Sequence, residues 1–352
     1  MTNSQWETFK RAARREKLEA VPMALIIDSP WIPGYVGVSH LDFFLDPQVW
    51  FQSHLRVHRE YPDIIFVPGW WLEYGMAAEP SVLGSKIKFW PNNTPSECHM
   101  LFNIEDLEQL PPYEVEADGF MGLTLHRIRM QRQQVIAAGE NFRMATSRGP
   151  MRSAGFARNT SDLMIDIVEK PEWVHKLLDL CTRIIIDWLK AQVKIMGPTV
   201  EGIFLLDDIV GFVNEEFYQE FCHPYLKRIC DAFPADWVKL YHNDASIEAC
   251  LEHLPGAGFN MLNWGQQTDI ADVKRRLGGR MCLMGNVNPL EIGVRGTPEE
   301  VRKATLAVLE KSGGEGIVLS VGGGVSPGMP RQNIQAMQAA LAEFNQAHFG
   351  RG

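Results

Sequence analysis

A histidine and three acidic residues stand at the ends of two apolar runs in the second half of the chain. His242 and Asp244 follow one run, and Asp207 and Asp208 follow the other. Histidine titrates near neutral pH and exchanges protons efficiently when a carboxylate orients it, so these residues are predicted to be catalytic, with His242 as a general acid. Aspartates after strands also commonly accept hydrogen bonds from backbone N–H groups, so one of Asp207 and Asp208 is expected to be structural.

Glycines and an amide side chain stand at the ends of two later apolar runs. Three consecutive glycines form the loop after the last run, and an asparagine ends the run before it. Such a loop either cradles an anion with its backbone N–H groups or leaves room for a bulky ligand or partner, and the absence of a thiol or imidazole favours room. The residues assigned to cofactor binding on this basis are Gly322, Gly323, Gly324 and Asn286.

Aromatic residues cluster after the first two apolar runs. Trp31 and Tyr35 follow the first run, and Trp70 and Trp71 follow the second. Their rings could line a substrate pocket for a flat aromatic ring, although tryptophans are also common in protein cores. Three tryptophans in two strand-end loops favour the pocket, and these four residues are therefore predicted to contact substrate.

Two polar residues are further candidates for substrate contacts. Arg148 and Arg152 flank Gly149-Pro150 after the third run, where a cation either binds an anionic group of the substrate or forms a surface ion pair. Asn263, at the end of the sixth run, either recognises a phenol or carboxylate edge or belongs to a plain turn. Of these residues, Arg148 and Asn263 are predicted to contact the substrate.

The elements that position these residues follow from an alternation of strand-like and helical segments. The clearest helical segment covers residues 171–196, and a repeated order of strand then helix implies parallel pairing. Eight strand-like runs predict an α/β fold, a (β/α)8 TIM barrel whose strand ends carry the polar residues. The predicted strands cover residues 21–28, 63–68, 142–147, 201–208, 237–242, 258–264, 280–287 and 316–321.

The connection between the second and third predicted strands is too long for a simple crossover. It spans about residues 69–140 and contains a further strand candidate, Lys86–Trp90, and a helix through residues 123–138. Loops of this length in compact domains usually carry function, so a cap insertion between strands 2 and 3 is predicted. A charged N-terminal helix within residues 1–20 precedes the barrel, and residues 1–352 are predicted to form one domain.

Composition argues against several classes of partner. The 352 residues include 34 basic and 43 acidic side chains, a net charge of −9, and no basic run is interleaved with aromatics, so nucleic acid is not expected. The chain has neither the pattern of a signal peptide nor an apolar run of membrane-spanning length. Its six cysteines lack a CxxC pair and read as reduced thiols, which predicts a cytoplasmic enzyme acting on a small molecule.

The order of several short motifs resembles the uroporphyrinogen decarboxylase superfamily. The resemblance runs from about residue 149 to the C-terminus. It implies a (β/α)8 barrel with one of two chemistries: decarboxylation of a porphyrinogen without a cofactor, or methyl transfer to or from a corrinoid, often with zinc. The motifs are Gly149-Pro150, Asp207-Asp208, residues 217–225, Thr268-Asp269, residues 285–289, 296–301 and 320–324, and Pro327-Gly328-Met329-Pro330 followed by Asn333.

Features that the resemblance implies for the decarboxylases are missing here. Decarboxylating members resemble one another in an arginine-rich N-terminal loop and in an aspartate after the second strand. The corresponding loops, residues 28–35 and 67–71, contain no arginine and no aspartate respectively, and Gly323 stands where the decarboxylases have a histidine. An octa-anionic substrate needs bidentate cationic partners, so a decarboxylase is kept only as the alternative function.

The metal site implied for the other branch is also altered. Thiol-methylating members bind zinc with a His-x-Cys pair after the fifth strand and a cysteine in the last loop; here residues 242–244 read His-Asn-Asp and the last loop offers Gly323. Oxygen ligands are acceptable to zinc, so a thiolate-free Zn²⁺ site remains a candidate, and loss of sulfur argues against a thiol acceptor. The assigned metal ligands are His242, Asp244 and Glu201, with Asp207 and Asp208 as alternatives to Glu201.

The favoured function is therefore methyl transfer between a small methylated substrate and a corrinoid, with O-demethylation of an aromatic methyl ether as the leading reaction. The chain lacks an Asp-x-His-x-x-Gly motif, so methylcobalamin is expected on a partner corrinoid protein. A non-catalytic subunit that docks a corrinoid protein is a second alternative, and convergence of His242, Asp244 and the acidic pair in one pocket would favour the enzyme. A homodimer is a further expectation.

Overall fold

The computed structural model describes residues 1–277 and 279–350 of the chain. This part contains ten strands and fifteen α-helices. The strands are β1 (Ala24–Ile26), β2 (Ile65–Val67), β3 (Lys86–Trp90), β4 (Asn93–Cys98), β5 (Ala145–Arg148), β6 (Gly202–Leu206), β7 (Val238–Asn243), β8 (Met261–Trp264), β9 (Cys282–Val287) and β10 (Ile317–Val321).

The helices alternate with these strands. They are α1 (Asn3–Ala13), α2 (Ile32–Val36), α3 (His40–Leu45), α4 (Pro47–Glu60), α5 (Ala78–Val82), α6 (Gly119–Ala137), α7 (Pro150–Arg158), α8 (Thr160–Glu169), α9 (Pro171–Met196), α10 (Glu215–Phe221), α11 (His223–Asp231), α12 (Leu254–Ala257), α13 (Ile270–Leu277), α14 (Pro298–Ser312) and α15 (Arg331–Phe349). Short irregular helices cover Ile104–Gln109, Asp208–Phe212 and Pro289–Val294.

The eight strands other than β3 and β4 run parallel within the described residues and form the barrel wall. Strands β5 to β10 pair in chain order, and β1 pairs with β2. Bridges from Met23 to Leu319 and from Ile26 to Gly324 connect the first strand to the last. This arrangement confirms the predicted (β/α)8 barrel. The ladders are shorter than the predicted runs at β1 and β2, because pairing there covers only three residues of each.

Local sequence signals explain where the helices begin and end. Thr297 caps α14 in a reciprocal capping box with Glu300, and Gly313, with φ of +67°, ends the helix in the left-handed region that glycine adopts without strain. Thr2 and Gln5 form a similar box at the start of α1, which ends at Ala13. The predicted N-terminal helix is therefore present but shorter than the charged segment that suggested it.

The barrel interior is filled by side chains, and α1 closes its N-terminal end. Trp6 and Phe9 of α1 belong to the same buried cluster as the inward-facing residues of the strands, which include Ile26, Phe204 and Met284. Barrels of this kind are packed cores and not pores. Any ligand site must therefore lie at the opposite end, where the strands finish.

The long connection between β2 and β5 contains the predicted insertion. Strands β3 and β4 form an antiparallel hairpin, which confirms the extra strand at Lys86–Trp90, and α6 occupies the predicted helical segment. Thr94 of β4 and Met76 line a pocket at the barrel mouth, so the insertion supplies part of its wall. Among the described residues, no helix is both long and apolar enough to cross a membrane.

Candidate active site

A pocket of about 530 Å³ opens at the carboxyl ends of the barrel strands. Parallel strands place their ends side by side, so residues far apart in sequence meet here. Six strands contribute to the lining, through Asp28 after β1, Trp71 after β2, Arg148 at the end of β5, Asp208 after β6, His242 of β7 and Gly324 after β10.

Three ionisable side chains converge in this pocket. One ligand atom from each of Asp208, His242 and Asp244 lies within 4.8 Å of the others. His242 Nε2 is 3.8 Å from Asp208 Oδ1, and the backbone N–H of Asp244 donates to the same oxygen over 3.2 Å. His242 and Asp244 thus converge with Asp208, one member of the acidic pair, and the convergence expected of an enzyme is met in part.

Asn263 fixes the orientation of the His242 ring. Its amide nitrogen donates to the backbone oxygens of Met284 (2.8 Å) and Val321 (3.1 Å), so its Oδ1 is the atom that faces His242. Oδ1 lies 2.7 Å from His242 Nδ1, and because it can only accept, Nδ1 must carry a proton. Nε2 therefore points towards the two carboxylates, either as a lone pair or as a second N–H donor. Asn263 is fully buried, and its predicted contact with substrate is corrected to a positioning role.

The surroundings of Asp244 in the cluster change its protonation. The pKa of Asp244 is raised, first because the pocket walls shield its carboxyl group from bulk water and then because Asp208 carries like charge, while His242 acts in the opposite direction. Two neighbouring carboxylates with a cationic or metal partner are stable as anions, and without one they tend to share a proton. The cluster therefore favours a positive charge at its centre.

Asp207 does not belong to this cluster, although it precedes Asp208. Its side chain is fully buried and accepts hydrogen bonds from the backbone N–H groups of Met151 (3.1 Å) and Arg152 (2.7 Å), at the start of α7. Burial raises the pKa of Asp207 to about 8. A Cβ atom on Gly149 would lie 2.2 Å from Asp207 Oδ2, which explains the glycine before α7. The catalytic assignment of Asp207 is corrected: it caps a helix.

Glu201 lies at the opposite end of the same strand. It precedes β6, whereas Asp208 follows it, and its Oε2 accepts from Trp6 Nε1 (2.7 Å) and from Lys10 Nζ (3.0 Å) of α1. The assignment of Glu201 as a metal ligand is therefore wrong on position, because a parallel strand separates it from the cluster. Asp208, and not Glu201, lies close enough to His242 and Asp244 to offer a third oxygen to an ion.

Of the four aromatic residues assigned to substrate, Trp71 lines the pocket. The other three are packed against the scaffold, which corrects their assignment. The Trp31 indole donates to Met329 O and stacks on Tyr35, with ring centroids 4.4 Å apart. The Tyr35 hydroxyl bonds to Glu60 and Tyr61, and the Trp70 indole donates to Glu140 over 3.0 Å. Their N–H and O–H groups are satisfied by protein atoms, as is usual for core aromatics.

Arg148 reaches the pocket but is paired. Its Nη1 lies 2.7 Å from Glu73 Oε2, and its guanidinium lies over the Trp71 ring at 5.4 Å. Asp28 lines the same pocket, and its Oδ1 is buried with no hydrogen-bond partner among the described residues. Burial, together with the charge of Glu73, raises the pKa of Asp28 to about 8. Sequence reasoning missed Asp28 and passed over Glu73, yet both follow strands, the signal that selected Asp208.

The glycine loop after β10 packs closely against the cluster. A Cβ on Gly323, whose φ is +104°, would lie 3.4 Å from Asp244 Cβ and 3.9 Å from His242 Cε1. Gly324 lines the pocket, whereas Gly322 packs against the backbone of Trp264. The loop thus leaves the approach to the cluster free of side chains.

The cofactor-binding roles of Gly322 and Asn286 are corrected, because Asn286 donates to the backbone oxygens of Gly265 (3.3 Å) and Thr268 (3.2 Å) inside the fold.

A model of the family described as uroporphyrinogen decarboxylase matches residues 4–344. The chain belongs to this family. Curated members are similar at low identity: the uroporphyrinogen decarboxylase of Pseudoalteromonas translucida (strain TAC 125) is 24% identical over 278 residues, 76% of each chain. That of Azotobacter vinelandii is 23% identical over 363 residues, 98% of this chain and 99% of the relative. The superfamily predicted from the motifs is confirmed.

Solved structures share the fold of this family member. A methyltransferase from Methanosarcina mazei superposes with a TM-score of 0.79 at 20% identity, over 96% of this chain and 97% of that one. A B12-independent methionine synthase from Shewanella sp. W3-18-1 gives a TM-score of 0.60 at 11% identity, over 93% and 97% of the two chains. At these identities the likeness establishes a shared barrel.

Proposed function

We propose that this member of the uroporphyrinogen decarboxylase family is a methyltransferase that moves a methyl group between a small methylated substrate and a corrinoid carried by a partner protein. The observation that carries the proposal is the Asp208–His242–Asp244 cluster, with Nε2 of an oriented histidine between two carboxylates in an accessible pocket. The fold shared with the methyltransferase from Methanosarcina mazei supports it.

The donor atoms of the cluster suit a divalent metal such as Zn²⁺. A neutral imidazole whose other nitrogen donates to an amide oxygen, together with two carboxylates, is an acceptable ligand set, and Asn263 provides the outer hydrogen bond that such ligands require. Asp208, His242 and Asp244 would hold the ion. A metal bound there would supply a Lewis acid for the oxygen that leaves the methyl group.

The same residues serve without a metal. A methyl ether is a poor methyl donor unless its oxygen is protonated as it leaves. His242, protonated on both nitrogens, would give its Nε2 proton to that oxygen, and the carboxylates of Asp208 and Asp244 would stabilise the imidazolium beforehand. A reduced corrinoid, when bound at the mouth, supplies the nucleophile that accepts the methyl group. The side-chain-free surface of Gly323 keeps the approach to His242 open.

The charge of the pocket opposes the decarboxylase alternative. Four acidic residues line it, Asp28, Glu73, Asp208 and Asp244, and of its two arginines Arg148 is already paired with Glu73, which leaves Arg152 as a single cation against eight carboxylates. A porphyrinogen with eight carboxylates would be repelled, because like charges in a partly shielded pocket cost more than in water. The names of the curated relatives favour decarboxylation, and at 24% identity or thereabouts they leave room for a different substrate.

The substrate is proposed to be an aromatic methyl ether. The Trp71 ring forms one wall of the pocket, where a flat ring can pack against it, and Met76 adds a polarisable apolar surface. Packing of this kind would hold the methoxy oxygen near His242 Nε2.

The test is anaerobic turnover of methoxylated aromatics, methylamines, methyl sulfides and methanol with reduced cobalamin, with and without a corrinoid protein, following methylcobalamin by its absorbance. Wild type is compared with His242→Ala and with His126→Ala, a matched histidine change on the exposed face of α6. Methylcobalamin that forms from one donor class, disappears in His242→Ala and persists in His126→Ala supports the proposal.

Two further outcomes have defined meanings. Activity abolished by a chelator and restored by Zn²⁺ would assign the cluster to a metal, whereas chelator-resistant activity would assign the acid role to His242 itself. If uroporphyrinogen loses CO2 in the presence of the protein and no donor yields methylcobalamin, the methyltransferase proposal is wrong.

A further inference from the structure

Two arginines line the pocket, and their surroundings differ. Arg148 at the end of β5 is held by Glu73 at 2.7 Å, so its charge is balanced inside the wall. Arg152, in the first turn of α7, has no carboxylate oxygen within 4.0 Å of its guanidinium among residues 1–277 and 279–350. The pocket therefore presents one cation that the described part of the protein does not neutralise by direct pairing.

The Arg152 guanidinium is held in place without being satisfied. Nη2 donates to the sulfur of Met76 over 3.3 Å, and the group lies over the Phe156 ring with 4.6 Å to the centroid. Its Nε is buried and has no hydrogen-bond partner within the described part of the chain. A thioether is a weak acceptor, and a buried donor without a partner is costly. These contacts orient the guanidinium but leave strong donor capacity for a ligand.

A backbone hydrogen bond ties Arg152 to the residue that precedes Asp208 of the cluster. The Arg152 N–H donates to the buried carboxylate of Asp207 over 2.7 Å, and Asp208, the next residue along the chain, faces His242. The positive charge of Arg152 also acts on Asp244, where it opposes the rise in the pKa of the carboxyl group. Arg152 and His242 line the same pocket, so a ligand bound there lies beside both side chains.

We infer that Arg152 is the receptor for a carboxylate on the methyl donor, which makes the substrate a small methylated carboxylic acid, such as a methoxylated benzoate. The methyl-donor part of this inference rests on the proposed function, whereas the carboxylate site does not. One unpaired cation matches one negative charge, and the neighbouring carboxylates of Asp208 and Asp244 disfavour a dianion such as a phosphate ester. Arg152 thus determines specificity, and Arg148 supports the wall.

The decisive measurement is the binding of benzoate and of benzamide by isothermal titration calorimetry, because these probes differ in charge and contain no methyl group. Wild-type protein should bind benzoate more tightly than benzamide. Arg152→Gln should weaken benzoate binding by about 10- to 100-fold, the range for hydrogen bonds to charged groups, and leave benzamide unchanged. Arg152→Lys should recover part of the loss, since it keeps the charge without the fork of donors.

The matched control is Arg183→Gln, an exposed arginine of α9 that pairs with Asp179 outside the pocket, which should bind both probes as wild type does. Thermal unfolding of each variant checks the fold. In turnover, Arg152→Gln should raise KM for a methoxybenzoate far more than for the corresponding methoxybenzamide, with kcat for the amide retained.

Each outcome decides between the two proposals. Arg152-dependent benzoate binding without any methyl transfer would refute the proposed function and leave the carboxylate site standing. Benzoate bound no more tightly than benzamide by the wild type would overturn the carboxylate site without recourse to a variant. Equal losses for both probes in Arg152→Gln would do the same, since a structural role and not charge recognition would then explain them.

Discussion

The two ends of β6 carry carboxylates with opposite surroundings. At the N-terminal end, Glu201 Oε2 accepts hydrogen bonds from the Trp6 indole and the Lys10 ammonium group of α1. At the carboxyl end, Asp208 faces another carboxylate and a histidine in an open pocket. The closed end satisfies its polar groups within the fold, and the open end holds them ready for a ligand. This contrast indicates that residue type alone does not define a site, because the direction of the strand decides.

The largest expected effect is a difference in methyl-transfer activity between variants at the two ends of the barrel. His242→Ala should lower the rate of methyl transfer by about 10²- to 10⁴-fold, since it removes either the proton donor or a metal ligand. Glu201→Gln, which keeps an acceptor for Trp6 at the other end, should remain near wild type. The check is the steady-state rate of methylcobalamin formation. Comparable losses in both variants would break the contrast between the ends.

A second effect concerns the amide that orients His242. Asn263→Ala removes the acceptor of the Nδ1 proton and should reduce activity or metal affinity by about 10- to 100-fold, the usual cost of losing an outer hydrogen bond of this kind. The pH profile of kcat/KM should shift as well, because the ring is free to change its protonated nitrogen. A loss of activity with an unchanged pH profile would indicate a packing defect in place of an orienting role.

A third prediction compares two adjacent aspartates by stability. Asp207→Ala leaves the backbone N–H groups of Met151 and Arg152 without their acceptor and should lower the free energy of unfolding by about 2 kcal/mol. Asp208→Ala should lower it less, because the loss of its exposed hydrogen bond from the Asp244 N–H is offset by removal of a like charge from beside Asp244. Urea denaturation measures both. If Asp208→Ala is the more destabilised variant, the division of roles between the two residues fails.

A fourth prediction is a pH dependence of stability at Asp28. Its pKa is raised from 3.8 to about 8, so the native state binds a proton that the unfolded state releases. Stability from this group is fully present below about pH 4 and is lost as the pH rises towards 8. Asp28→Asn should therefore gain stability relative to wild type between pH 5 and pH 8. A constant difference in unfolding free energy across that range would contradict the raised pKa.

The barrel and its mouth were predictable from the sequence, and the directions of individual side chains were not. Eight apolar runs with helices between them specify parallel strands, and the motif order specifies the superfamily. Glu201 precedes its strand, so strand direction alone would have placed it at the closed end. Asp207 and Asp208 are adjacent and diverge because successive residues face opposite ways, which a strand-end rule does not resolve.

The aromatic and amide assignments failed for a different reason. Trp31 and Trp70 follow strands as Trp71 does, but their rings turn into the core, where Met329 and Glu140 accept their N–H groups. These partners lie 298 and 70 residues away in the chain, and no local pattern reveals them. Asn263 was selected at a strand end for a contact with substrate, and only its bonds to two other strands reveal that it serves His242.

The amide of Asn263 links His242 of β7 to backbone oxygens of β9 and β10. The alignment of four neighbouring strands, β7 to β10, thus determines which nitrogen of the imidazole carries the proton. The nitrogen-15 NMR spectrum of a histidine distinguishes its two tautomers, so the ring is a built-in gauge of this side of the barrel. Loosening of β9 or β10 by heat, denaturant or mutation would change the NMR signal of His242 before the chain unfolds. The proton would then no longer be confined to Nδ1 of the ring.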